Sequence, residues 1–317
     1  MLTGSELSPR HLPLMEIKSI NPGPVVWLTS CSHGDEVGGI VVIQEIFKRI
    51  RKKPLLKGSI HAFPLMNPMG FENISRSITY SKEDLNRSFP GDKNGSLAER
   101  IADKIFTTIL NTKPALVLDL HNDWRKSIPY ALIDKHPGPK HQEAYESAKR
   151  YSKKTGFLVI SEQKESVDYD VKDELDRSLS YSLLKEDIPA LTLELGESYV
   201  VNEKYVAEGV KSVWGILSEL GMVEPVAETL ECGCPPDLSN KILIYSQQPV
   251  SSISGITRFY AEPGQIVKKG QPIAKIYNAF GKLQETLNAQ EDAIVLGYSD
   301  SSVAFPGFPV MAFGVIK

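Results

Sequence analysis

From about residue 12 to residue 222 the chain alternates short apolar runs with amphipathic stretches of helical spacing, and few folds accept that order. The runs are LPLMEIK, PVVWLTS, SIHAFPLMN, ALVLDLH, PYALID, GFLVIS and ALTLELG. Several are apolar almost throughout, as strands are when helices cover both faces of their sheet. Between them, Ile43, Ile46, Phe47 and Ile50 keep helical spacing after Gly39. SLAERIADKIFTTIL opens with Ser96 and carries Glu99 three residues on, a capping-box signature. YVAEGVKSVWGILSELG stops at a glycine, a common helix end. Strands alternating with helices predict an α/β domain over residues 1–223, with a mixed, mostly parallel sheet flanked by helices. EPVAETLECGCPPDLSNK then reads as a linker. Beyond it helical periodicity stops, and short strands with glycine turns predict a small all-β domain over residues 224–317.

Composition narrows the function classes. The 317 residues are 41% hydrophobic and 24% charged, as in an ordinary globular protein. A net charge of -3 gives no electrostatic case for nucleic acid or an anionic membrane as partner. No run approaches the roughly 18 apolar residues of a membrane span. The first residues, MLTGSELSPRHLPLMEIKS, lack the basic start and apolar block of a signal peptide. Cys31, Cys232 and Cys234 make no disulfide framework, and the C-x-C of ECGCPP has no second pair to complete a structural zinc site. A reducing, cytoplasmic setting is the expectation. Oligomeric state is left open, a homo-oligomer included.

The chemistry collects at strand ends, where open α/β sheets bind ligands. SCSHGDEVGGI follows an apolar strand and sets His33, Asp35 and Glu36 among small residues. Imidazole plus carboxylate suits zinc, yet two ligands do not close a site. A third is available in ALVLDLHND, where alternation puts Asp119 and His121 on one face and Leu118 and Leu120 on the other. Asp119, two residues before His121, can hold the outer nitrogen of its ring. In IPALTLELGES alternation puts Thr192 and Glu194 on one face, and a carboxylate among leucines should have a raised pKa, as a general base near neutrality needs. The long loop NPMGFENISRSITYSKEDLNRSFPG bears Arg76, Asn86 and Arg87, which suggest anion recognition. NDWRKS brings Arg125 and Lys126 close behind His121, and Tyr130, Tyr169 and Tyr199 are candidates to close a pocket.

HGDE, NPMGF…R, DLNRSFPG, DLHN and TLELG follow one another in the order found in the succinylglutamate desuccinylase/aspartoacylase family, a branch of the zinc carboxypeptidase superfamily. The resemblance spans roughly residues 25 to 200. It implies a zinc-carboxypeptidase-like catalytic domain holding one Zn²⁺ per chain, with His33, Glu36 and His121 as ligands. It also implies Arg76 as the group polarising the scissile carbonyl, Asn86 and Arg87 as holders of a substrate carboxylate, and Glu194 as catalytic base. The implied activity is hydrolysis of the amide of an N-acyl amino acid or a similar small acylated amine. A metallocarboxypeptidase acting on short peptides and a non-catalytic metal-binding protein are the rival readings. The C-terminal segment resembles a lipoyl/biotinyl-type barrel-sandwich in PGQIVKKGQPIAKI. Lys282 stands near the place of a carrier lysine without flanking methionines, so the expected role of this segment is to shape or cover the site.

Overall fold

The structure, a computed structural model, describes residues 2–3, 9–162, 175–225, 235–238, 241–299 and 301–316. A twelve-stranded sheet organises them. Its order is Ile266–Val267, Ala293–Tyr298, Met311–Val315, Ile242–Ser246, Leu158–Ser161, Pro129–Ile133, Ala190–Leu195, Leu116–His121, Val25–Ser30, Ser59–Phe63 and Met15–Lys18, with Lys126–Ser127 attached beside Ala293–Tyr298. The centre is parallel: Val25–Ser30 lies between Ser59–Phe63 and Leu116–His121, and Leu116–His121 lies beside Ala190–Leu195. Pro129–Ile133 runs antiparallel to Ala190–Leu195, and the edge strand Met15–Lys18 is antiparallel too. A separate four-stranded antiparallel sheet is built from Leu283–Asn288, Pro272–Tyr277, Gly255–Phe259 and Val303–Ala304. This is the expected class, a mixed α/β sheet flanked by helices with a small antiparallel C-terminal sheet.

Strand alternation divides the core into two faces. Val26, Leu28, Leu118, Leu120, Leu191 and Leu193 meet helix Gly38–Lys52 and helix Glu203–Glu219 through Ile43, Ile46, Val213 and Trp214. On the opposite face Trp27, Val117 and Ala190 meet helix Leu97–Leu110 and helix Leu179–Leu184 through Ile101, Ile105 and Leu183. The capping box is present: Glu99 N donates to Ser96 Oγ at 3.2 Å, and Ser96 N donates to Glu99 Oε2 at 3.0 Å. Each fully buried Leu or Ile is worth roughly 1.5–3 kcal/mol relative to exposure. The leucine face therefore fixes register, because a one-residue slip would bury Asp119 and Glu194 beneath helices.

Ile242–Ser246 is parallel to Leu158–Ser161 and antiparallel to Met311–Val315. The large sheet thus continues from residues before 224 into those after it. That continuity carries Tyr245 and Gln247 to the cavity described next.

Candidate active site

After Val25–Ser30 the chain turns at Cys31, whose φ of 55° lies in the left-handed region. The turn sends residues 32–36 across a second loop that braces them. Asn67 N donates to Cys31 O at 2.9 Å, Asn67 Nδ2 to Ser32 O at 3.2 Å, and Gly34 N to Ser75 O at 2.9 Å. The two backbones touch at Gly34, where a Cβ would stand 1.9 Å from the carbonyl carbon of Gly70. Gly34→Ala must therefore push the loops apart. The expected result is a folded protein whose metal affinity is at least ~10-fold weaker, because ligand placement tolerates little looseness. Chelator competition with circular dichroism as the folding control measures it.

The parallel pairing of Leu116–His121 with Ala190–Leu195 sets Thr192 beside Asp119 and Glu194 beside His121. Glu36 Oε1 lies 2.6 Å from His33 Nδ1, and Glu36 Oε2 lies 2.8 Å from His121 Nδ1. The outer nitrogens are held as well: His33 Nε2 is 3.1 Å from Asp84 Oδ1, and His121 Nε2 is 2.9 Å from Asp119 Oδ2. Asp119 is itself fixed by Thr29 Oγ1, which donates to its Oδ1 at 2.7 Å. Donor atoms of His33, Glu36 and His121 all lie within 4.8 Å of one another, and all three residues are buried. Among the described residues this is the group that can hold a metal ion.

The electrostatics favour a cation. Burial opposes ionisation of Glu36, but the two imidazoles outweigh it and hold the carboxyl well below the usual range. Burial likewise disfavours a charged His121, and Asp119 with Glu36 overcomes it, raising the ring well above its ordinary pKa. Each Nδ1 faces a Glu36 oxygen across the space a shared cation would take, and the carboxylates of Glu36, Asp84 and Asp119 surround the two rings. Two imidazoles and a carboxylate converging from three sides are the donor set of catalytic zinc sites, so the residues fit that metal. Asp84→Asn and Asp119→Asn are each expected to weaken metal binding 10–100-fold, roughly the cost of losing an outer hydrogen bond to a ligand. Chelator competition on the two variants checks this.

The trio opens onto a cavity of about 460 Å³. Arg76, Asn86, Arg87 and Glu194 line it together with His33, Glu36 and His121, so the seven residues to which the family resemblance gives a role share one space. Arg76 donates from Nε to Asp84 Oδ2 at 3.0 Å, and its Nη1 is 3.7 Å from Glu36 Oε1. Asn86 Oδ1 accepts from Leu179 N at 2.9 Å, and Arg87 Nη1 donates to Asn86 O at 3.0 Å. Glu194 Oε2 has no hydrogen-bond partner among the described residues. Burial, then Asp123 and Glu36, push the Glu194 carboxyl well above its ordinary pKa, while His121 and Arg76 pull it back.

Other candidates fall differently. Tyr130 lines the cavity and donates from Oη to Asp123 Oδ2 at 2.8 Å. Arg125 instead stacks over the exposed Tyr199 ring at 4.3 Å, and Lys126 pairs with Tyr298 in the sheet. Lys282 lies at the turn between Pro272–Tyr277 and Leu283–Asn288, its N donating to Asn278 Oδ1 at 3.0 Å. Tyr169, Cys232 and Cys234 lie outside the described residues. Sequence reading missed Asp84, Asp123, Asp134, Glu162, Tyr245 and Gln247 on the cavity wall. Of these, Asp84 alone carried a signal, since it opens the DLNRSFPG run.

Comparison with known proteins decides the family. The model of the succinylglutamate desuccinylase/aspartoacylase catalytic domain matches residues 22–220. The chain belongs to the succinylglutamate desuccinylase/aspartoacylase family. It is a deacylase, a hydrolase of non-peptide carbon–nitrogen bonds. A curated member, the N-alpha-acetyl-L-2,4-diaminobutyric acid deacetylase of Halomonas elongata, is 28% identical over 278 residues, covering 84% of this chain and 74% of that protein. The product-bound ectoine utilization protein EutE (DoeB) of Ruegeria pomeroyi superposes with a TM-score of 0.80 at 20% identity, covering 99% of this chain and 93% of its own. A succinylglutamate desuccinylase/aspartoacylase of Rhodobacter sphaeroides gives 0.81 at 19%, covering 100% and 93%. At those identities the likeness speaks for the fold. No helix among the described residues of this deacylase is long and apolar enough to cross a membrane.

Proposed function

We propose that this family member uses one zinc ion, held by His33, Glu36 and His121, to cleave an N-acyl amino acid into a carboxylate and a free amine. The observation that carries this reading is the paired orientation of the two imidazoles, Nδ1 toward Glu36 and Nε2 held by Asp84 and Asp119. When bound there, zinc supplies Lewis acidity, polarising a carbonyl and acidifying water. The chain's own residues do the rest. Glu194, set beside His121 with a bare oxygen, takes a proton from the attacking water. It then delivers that proton to the departing nitrogen as the carbon–nitrogen bond breaks. Arg76 brings positive charge to the oxygen that becomes negative, a preorganised contribution of the kind that dominates such reactions. Asn86, whose Nδ2 is its remaining donor, and Arg87 hold the substrate carboxylate.

The Halomonas relative is named for an N-acetylated amino acid, and a cavity of about 460 Å³ suits substrates of that size. The zinc-loaded protein, given a panel of N-acetyl, N-succinyl and N-formyl amino acids beside short unblocked peptides, is expected to hydrolyse N-acyl amino acids and leave the peptides intact. Preferential trimming of the peptides would overturn this reading in favour of a carboxypeptidase.

A further inference from the structure

The large sheet ends at Met15–Lys18, which pairs with Ser59–Phe63 on one side and carries no strand on the other among the described residues. Ser19 N donates to Gly58 O at 2.9 Å, so by alternation Met15 and Ile17 turn their backbone groups inward, toward Ser59–Phe63. Glu16 and Lys18 turn theirs to the open side. An open edge of this kind is a template for a further strand. Its flanks are apolar. Leu14 is 51% exposed and Ile20 98%. A groove of about 860 Å³ runs beside the strand, lined by Met15, Ile17, Ile20, Phe47, Ile50 and Leu56. Apolar surface gathered around an open strand marks a contact face. Lysine on an edge ordinarily repels a second strand. Here Glu16, whose Oε1 lies 2.5 Å from Lys18 Nζ, supplies the opposite charge on the same face.

We propose that this edge is an interface between two copies of the chain, joined antiparallel about a two-fold axis at Ile17. Backbone geometry and charge together select that register. The ladder forms only where outward-turned residues stand opposite one another. Setting Glu16 on Glu16, or Lys18 on Lys18, brings like charges face to face, which is destabilising. Setting Ile17 on Ile17 places each Glu16 against Lys18 of the second copy, and each such pair exchanges both of its backbone hydrogen bonds. Outward from the axis Met15 then falls opposite Ser19, and Leu14 opposite Ile20. The run LMEIKSI is therefore complementary to itself, apolar against apolar and acid against base. The two Ile17 side chains meet beside the groove, while Glu16 and Lys18 of both copies alternate on the other face. The contact uses the same patch on both copies, so it closes at two chains and does not propagate.

Sedimentation equilibrium of the full chain from ~1 to ~100 µM reads the association directly, in the range where a modest interface forms. Wild type is expected to pass from monomer toward twice the monomer mass. Glu16→Lys and Lys18→Glu each set like charges opposite one another twice per dimer, and each is expected to weaken association ~10-fold or more. An equimolar mixture of the two variants restores every acid–base pair and is expected to associate like wild type. Circular dichroism confirms that both variants are folded. Should either fail to fold, Ile17→Cys decides. Residues paired as Ile17 would be lie about 4.5 Å apart at Cα, within disulfide reach. Mild oxidation is expected to link two chains of Ile17→Cys, beyond any linking seen in wild type or in Ser19→Cys. A wild type that stays monomeric throughout overturns the proposal. So does association that persists undiminished in both single variants, a mixture that stays monomeric, or Ile17→Cys that links no better than Ser19→Cys.

Discussion

Replacing Glu194 with alanine is expected to lower kcat by ~10³-fold or more while the metal stays bound, since positioned acid–base groups contribute about 10²–10⁴. Glu194 is no member of the trio, so its loss leaves both imidazoles and Glu36 in place. It is next to His121 across a parallel strand pair, and its free oxygen faces no protein donor among the described residues. Glu194→Gln should lose as much, because an amide of the same shape accepts no proton. The pH dependence has a definite sign. Burial, Asp123 and Glu36 raise the Glu194 pKa, and the protonated acid cannot act as base. Activity should therefore rise with pH through a limb above the ordinary glutamate range. Asp123→Asn removes one of the charges that raise it and should move that limb to lower pH. Single-turnover rates with parallel metal analysis check the first point, and kcat/KM profiles the second. Retained turnover in Glu194→Ala removes it from the role of base.

Asp134→Asn is expected to stabilise the chain relative to wild type as pH rises from 4 to 8, by about 2–3 kcal/mol. Asp134 moves from an ordinary 3.8 to about 6 on folding, with burial the largest cause. One pKa unit is worth about 1.4 kcal/mol. The group is raised, so the native state holds its proton more tightly than the unfolded chain. Its contribution is fully present below about 4 and is lost as pH climbs through about 6. Asparagine does not titrate and escapes that loss. Urea unfolding of both proteins at pH 4, 6 and 8 reads the difference, and a constant gap across that range contradicts the argument.

Much of this site was legible because strand period is strict. Alternation in ALVLDLH and ALTLELG set Asp119, His121, Thr192 and Glu194 on the faces opposite their leucines, and pairing brought those faces side by side. Asp119 could be assigned to His121 because two residues along a strand return to the same side. The grip of Asp84 on His33 was not legible, since 51 positions and a looped-back chain separate them. Asp134 and Glu162 each stand directly after a strand, where an acid reads as an ordinary solvated end. Only the antiparallel entry of Pro129–Ile133 beside Ala190–Leu195 puts Asp134 on the cavity wall. Tyr245 and Gln247 were hidden for a related reason. A strand's own residues do not state its partner, and Ile242–Ser246 joins the large sheet through Leu158–Ser161, some 80 residues earlier.

The most direct test of the account is an anomalous difference map collected at the zinc absorption edge from crystals of the zinc-loaded protein. One strong peak per chain is expected, about 2.0–2.2 Å from His33 Nδ1, His121 Nδ1 and a Glu36 oxygen. A well-occupied peak elsewhere, with Glu36 still bridging the two imidazoles, would contradict it.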